Sequence, residues 1–352
     1  MIREITIFFT ISCIFFICIE STAQDFSYTQ SFAHTSTLNP SMTGLHNGQY
    51  KTSLLYRNQW IRAVEEPFTM IGGYVDLRSK IPIKLVQNDA FGIGLGFISE
   101  SQGIIEYKKN VFNINAAYHK ALDYNGDHTL SAGFQLGFMQ NTVGYENITF
   151  FDQFDGNGFN LATNEDLPRN ALSATDLGVG ISYQYNFDVH LFALGASVFH
   201  ANSPELSFGA QDQSTLSEYE NKLYRKYVVF SYYQWFISND LSLTPRIITK
   251  MQGPNTLTSV GGTARIRLSG IQENAVHFGM FVHSGKTVNS SFKPHTLSLL
   301  AGYEFNNFNL GLSYDLGMVN QYNWAKSRGN FELSLTYFGL LEGNSGVGCP
   351  VF

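Results

Sequence analysis

Asn307-Phe308-Asn309-Leu310-Gly311-Leu312-Ser313-Tyr314-Asp315-Leu316 sets a large apolar residue at every even position and a polar residue or glycine at every odd one. A period of two is what a strand with two unlike faces requires. A second run carries the same code, with Phe331, Leu333, Leu335 and Tyr337 alternating with Asn330, Glu332, Ser334 and Thr336. The two read as a hairpin joined through Gln321 to Ser327. In a soluble sheet a second layer would cover the shared apolar face, but no helical periodicity elsewhere in the mature chain supplies one. Lipid can cover it instead.

Working outward, the alternation recurs over Tyr50–Gln59, Phe68–Arg78, Ala90–Glu100, Ile104–Leu122, His128–Thr142 and Thr175–Tyr185. It continues over His190–Ala201, Lys222–Ile237, Asp240–Met251, Thr256–Ser269, Ala275–Lys286 and Lys293–Phe305. With the closing hairpin this makes about fourteen strands, an even number as in single-chain bacterial barrels. In the third segment Phe91, Ile93, Leu95 and Phe97 face out while Gly92, Gly94 and Gly96 face in, leaving room inside. Connections after odd strands read long (143–173, 202–221, 285–292) and those after even strands short (186–189, 238–239, 306–307). That asymmetry is the one between outer loops and periplasmic turns, and it puts both termini on the periplasmic side. The stretch 79–89 is longer than the rule expects. The fold class expected is all-β: a transmembrane antiparallel up-and-down β-barrel over residues 49–338.

The ends are read separately. After Met1-Ile2-Arg3 an apolar run extends from Ile5 to Ile19, and Ser21-Thr22-Ala23 precede Gln24, so residues 1–23 read as a cleaved signal peptide. The run is short for a transmembrane helix of roughly 20 residues. Residues 24–48, polar with an Asn39-Pro40 turn, form a pre-barrel periplasmic or lumen segment, and 339–352 a periplasmic tail. Only Cys349 remains in the mature chain, which excludes a disulfide framework and cysteine-pair metal sites. The chain carries a formal charge of −6, and removing Arg3, Glu4 and Glu20 leaves it mildly acidic. A nucleic-acid partner wants a basic footprint and is excluded. Charged residues at 14% beside aromatics at 15% suit a lipid-facing surface.

Enzyme signatures are absent: there is no His-Glu-x-x-His, no Gly-x-Ser-x-Gly and no phosphate-cradling Gly-Lys-Ser/Thr loop. No residue is assigned a catalytic, cofactor-binding or metal role, and no cofactor is expected. His277 and His283 share the inward parity and read as polar lumen residues. Asp152-Gln153-Phe154-Asp155-Gly156-Asn157-Gly158 offers oxygens for calcium, but its spacing is not that of an EF-hand loop, and Asp-Gly and Asn-Gly are ordinary turn pairs. Arg246, Lys250, Arg265 and Arg267 fall inward on two neighbouring strands, and Glu304, Asp315 and Glu332 inward on the last three. The expectation is that they pair across the lumen and help close it, the alternative being a solvated channel lining. In the outer loops Phe150, Phe151, Phe154, Phe159 and Leu161 offer apolar anchors for a partner, or pack the loop onto the rim.

Four stretches are distinctive: Leu38-Asn39-Pro40-Ser41-Met42-Thr43-Gly44, Tyr56-Arg57-Asn58-Gln59-Trp60, Gly329-Asn330-Phe331-Glu332-Leu333-Ser334-Leu335 and Cys349-Pro350. Together they resemble the PorP/SprF family of outer-membrane proteins associated with type IX secretion and gliding motility in Bacteroidota. Ile61 stands where the family often has a proline after the tryptophan. The resemblance implies a non-enzymatic barrel, integral to the cell outer membrane, that helps secrete or anchor a large adhesin-like surface protein through that protein's carboxy-terminal domain. It also implies contact with periplasmic type IX secretion components. Location alone would also fit a diffusion porin or a hydrophobic-solute transporter; an outer-membrane lipid enzyme lacks a recognisable site.

Overall fold

The computed structural model describes residues 25–340 apart from 26, 62–63, 65, 81–87, 104–105, 146–147, 155, 157, 161–162, 166, 168, 207, 209–221, 269–273, 287–291 and 319–328. Residues 1–23, read as a signal peptide, residues 341–352 of the tail with Cys349 and the Gln321–Ser327 connection therefore lie outside the described residues, while Gly339, read as the start of the tail, belongs to the last strand.

Alternating chemistry becomes alternating exposure. Ile114, Leu136 and Ile181 are 54%, 46% and 60% exposed, whereas their chain neighbours Asn115, Gln135 and Ser182 are 0%, 6% and 4% exposed. The apolar side chains stand outside and the polar ones inside, the reverse of a soluble domain. Fourteen antiparallel strands carry this pattern: Tyr50–Gln59 (β1), Phe68–Lys80 (β2), Ala90–Gln102 (β3), Tyr107–Ala121 (β4), His128–Thr142 (β5), Ala171–Phe187 (β6) and His190–Phe199 (β7). The second half comprises Lys226–Phe236 (β8), Leu241–Gln252 (β9), Asn255–Leu268 (β10), Asn274–Lys286 (β11), Phe292–Phe305 (β12), Phe308–Gly317 (β13) and Asn330–Gly339 (β14). Each strand pairs with its sequence neighbours, and β1 pairs with β14 from Tyr50 against Gly339 to Gln59 against Asn330. Closure leaves no edge, which hydrocarbon demands because it offers no partner to a free N–H or C=O. Among the described residues no helix is long and apolar enough to cross a membrane.

The boundaries differ from the sequence reading where a turn or a pairing outweighs alternation. β6 begins at Ala171 rather than Thr175, because Ala171, Leu172 and Ser173 pair with Thr142, Asn141 and Gln140 of β5. β4 begins at Tyr107 rather than Ile104, after a turn in which Gly103 and Glu106 take φ of 63° and 45°. β8 starts at Lys226, and β2 runs on to Lys80, which pairs with Ala90. The loop asymmetry is carried by 143–170, 200–225 and 318–329, whereas β9 and β10 are joined through Gly253 and Pro254 alone. The end with the long connections is called the long-loop mouth below, and the opposite end the short-turn mouth.

Ile114 stands at the middle of β4 on the lipid face. Ile114→Lys is expected to cost about 2–4 kcal/mol of folding stability, the penalty for a cation near the bilayer midplane. Denaturant titration of the barrel folded in lipid vesicles measures it, and a cost below about 1 kcal/mol would contradict the lipid-facing assignment.

Candidate functional site

The polar lumen is occupied by the chain's own amino-terminal segment. From Tyr28 to Gly44 only Phe32 and Thr37 are less than fully buried, although the segment has no regular structure beyond short 3-10 turns at Thr35–Thr37 and Pro40–Met42. Buried irregular backbone must find partners for its N–H and C=O groups, and here the barrel wall provides many of them.

Leu38 to Gly44 is the first anchor. The Asn39 side chain caps the second turn by accepting from Ser41 N at 2.8 Å, and Pro40 fits the first position, where no N–H is needed. The Asn39 amide then donates to the wall carbonyls of Ile181 (2.9 Å) and Ala196 (3.1 Å), while Ser41 Oγ donates to Ser182 Oγ at 2.8 Å. Tyr74 donates to Thr43 Oγ1 (2.9 Å), His119 Nε2 to the Thr43 carbonyl (2.9 Å), and Gly44 N to Asp76 (2.7 Å). The inward glycines of the wall are the dents that admit this stretch. A Cβ on Gly92 would lie 2.0 Å from the Thr43 carbonyl oxygen, and one on Gly180 the same distance from Asn39 Oδ1.

The second anchor is ionic and lies toward the long-loop mouth. Glu332 of β14 accepts from the backbone N–H of Thr29 (2.7 Å) and Gln30 (2.9 Å) and from the Arg57 guanidinium of β1. Arg57 also faces Asp315 of β13 at 3.5 Å, and Thr29 Oγ1 donates to Asp315 at 3.0 Å. Beyond this, Asp25 binds Lys109 (2.6 Å) and Lys226 (2.7 Å), with His200 Nε2 at 3.4 Å; the other nitrogen of His200 lies 2.9 Å from Asp176. Burial opposes charge on Asp25, but the two lysines and His200 win and hold its carboxyl well below the usual range. His34, stacked between Tyr28 and Tyr74, is driven the other way from a charged state: burial, and then Lys51, lower it to about 3.

Three of the four distinctive sequence stretches thus meet in one lumen. The pattern describing the type IX secretion system membrane protein PorP/SprF matches residues 20–337. The chain belongs to that family. No curated relative matches it. Among solved structures it is similar to the CymD monoaromatic hydrocarbon channel, with 10% identity, a TM-score of 0.53, and coverage of 88% of this chain and 93% of that one. The TodX monoaromatic hydrocarbon channel deltaS2 mutant is 8% identical with a TM-score of 0.50, covering 86% and 93%. CdiB from Escherichia coli is 10% identical with a TM-score of 0.46, covering 82% of this chain, which spans only 63% of the CdiB chain. At such identities the CymD and TodX likenesses are ones of fold.

In this PorP/SprF barrel the inward charges do not pair in the way their parity suggested. Glu304 is met by Arg265 (2.8 Å) and His277 (2.7 Å), which lie along the wall on β10 and β11 rather than across the lumen. Asp315 and Glu332 take Arg57 instead of the basic strands, Lys250 donates to Ser27 at 2.8 Å, and Arg246 lies 4.7 Å over the Phe32 ring. His283 lies between Ser259 and Ser298, at 2.7 Å from each. Sequence reasoning missed Asp25, Lys109, Lys226 and His200 as a set. Lys109 shares the parity of the buried Asn113 and Asn115 on β4, but nothing in one sequence says which inward group meets which part of a plug. In the long loop Phe151 is 93% exposed, Phe154 and Phe159 meet with tilted rings whose centroids are 5.2 Å apart, and Leu161 lies outside the described residues. Asp152 is engaged by Thr163 (2.9 Å) and Asn164 N (2.5 Å); Asp155 and Asn157 of the calcium reading also lie outside the described residues.

Asp25→Asn removes the carboxylate between two buried ammonium groups and is expected to weaken plug docking by about 3–5 kcal/mol. Hydrogen exchange checks it: protection falls over residues 25–47 and persists in the strands. Acid acts on the plug itself through His34. Its folded value is depressed, so the stabilisation is complete above its unfolded value of 6.5 and is lost as pH falls toward about 3. Plug protection should decline by about 1.4 kcal/mol per pH unit in that window. Asp25, also depressed, adds its loss only below the ordinary carboxylate range. His34→Phe should flatten the decline between pH 6.5 and 4.5.

Proposed function

We propose that this protein is a non-enzymatic outer-membrane component of the type IX secretion and gliding machinery that assists secretion or surface anchoring of a large adhesin-like protein through its carboxy-terminal domain. In this reading the long-loop mouth faces outward and the short turns and the end of β14 at Gly339 face the periplasm, where other secretion components can meet them. The amino-terminal end departs from the sequence expectation, because Asp25 lies among Lys109, Lys226 and His200 at the long-loop mouth. One observation carries the choice over a diffusion porin: residues 28–44 occupy the lumen and are bonded to its wall, Asn39 to the carbonyl of Ile181 and Thr29 N to Glu332 among others. A porin needs a wet path from mouth to mouth, whereas an anchoring barrel needs a rigid, sealed support. The exposed Phe151 and the Phe154–Phe159 pair, on the loop between β5 and β6, are the apolar anchors that a protein partner would bury.

The experiment deletes residues 149–161 and measures how much of the secreted partner stays at the cell surface. Loss of retention with the barrel still folded is expected; full retention would remove the anchoring role from this loop. Planar-bilayer recording separates the alternative. The intact chain should give no large steady current, and deletion of residues 25–46 should open one.

A further inference from the structure

At the short-turn mouth the plug does not fill the barrel. A cavity of about 490 Å³ remains there, bordered by the turns around Asn125-Gly126 and Asp188-Val189 and by the lower part of the plug. Its size falls in the range of roughly 300–1,000 Å³ typical of small-molecule sites. One side of it is apolar: Leu38 and Met42 of the plug and Phe230 and Ile248 of the wall belong to one buried cluster, with Phe32 beside them.

The polar side is cationic. Lys51, Arg78 and Arg246 border the cavity, and the one carboxylate among its described lining residues is Asp188, exposed in the β6–β7 turn. Arg78 donates to the Gly44 carbonyl at 3.0 Å, and Lys51 stands opposite Asp76 in the β1–β2 register. Arg246, over the Phe32 ring at 4.7 Å, has a nitrogen to spare. It is 6% exposed and donates through Nη1 to Thr263 at 2.8 Å, while Nη2 is buried with no hydrogen-bond partner. A buried guanidinium nitrogen left without an acceptor is costly; Nη2 is itself closed to solvent, but its residue lines the cavity, so a rotation of the guanidinium end would bring it to an acceptor there.

We propose that this cavity binds a fatty-acid-type amphiphile, its carboxylate on Arg246 Nη2 and its chain along Phe32, Leu38, Met42, Phe230 and Ile248. A single free guanidinium nitrogen suits one carboxylate better than a multiply charged phosphate, which draws several donors. The apolar wall rejects small hydrophilic acids. The inference does not depend on the anchoring role, because it concerns the opposite end of the barrel.

The test uses the full chain in zwitterionic-lipid nanodiscs and follows cis-parinarate fluorescence, with empty nanodiscs as the partition baseline. Saturable binding at one site per barrel is expected, displaced by dodecanoate but not by equal acetate or by 1-dodecanol. Arg246→Gln should weaken parinarate by about tenfold and leave the methyl ester unaffected. Arg246→Lys, which keeps the charge, should retain most of the binding, and heat-dependent electrophoretic mobility shows that each variant is folded. Equal binding of acid and methyl ester, displacement by dodecanol as readily as by dodecanoate, or an unchanged affinity in folded Arg246→Gln would overturn the site.

Discussion

Glu332 is where the two halves of this architecture are tied together. In the register that closes the barrel it stands directly opposite Arg57, so their ion pair bridges the seam between the first and last strands. The same carboxylate accepts the N–H groups of Thr29 and Gln30. Closing the wall and seating the plug are therefore satisfied by one group. The pair is 1% exposed on the glutamate side, and in so dry a place a lone charge is far more costly than a matched one. Neither arginine nor carboxylate tolerates the other's absence, and an unseated plug removes two of the donors that make burial of Glu332 acceptable.

The distinctive stretches acquire a physical meaning from this arrangement. Asn39 has to be an amide, because it accepts from Ser41 N and donates to two wall carbonyls at once. Gly92 and Gly180 have to lack a Cβ, because plug atoms occupy that space. Three stretches far apart in the chain are constrained by one contact surface between an irregular segment and a regular wall.

How much of this could be read beforehand follows from the same geometry. A period of two is a local property, so strand identity, lipid face and strand number were all legible in runs such as Asn307 to Leu316. Boundaries slipped where a partner strand extended pairing into polar residues, as at Ala171 opposite Thr142. The site was legible in part. Parity marked Arg246, Glu304, Asp315 and Glu332 as inward but could not supply the angle around the barrel, so basic and acidic strands appeared to face each other when the true mate of Asp315 and Glu332 came from β1. The plug, without periodicity, showed only its composition; its partners are set by three-dimensional register against the strands.

The two mouths hold the plug with different mixtures of charged and neutral groups. At the long-loop mouth Asp25, Lys109, Lys226, His200 and Asp176 form a matched set in which the lysines and the histidine share acceptors at 2.6 to 3.4 Å. Such a cluster is rigid, since each member pays a desolvation cost that only the others offset. At the short-turn mouth Tyr74 donates to Thr43, Ser41 to Ser182 and Asn39 to two wall carbonyls, while Gly44 is held by charged groups, its N–H on Asp76 and its carbonyl on Arg78. The plug is thus tied to the wall at both ends, by an ion cluster at one and by a mixture of neutral and charge-assisted bonds at the other, and the open space lies beside the second.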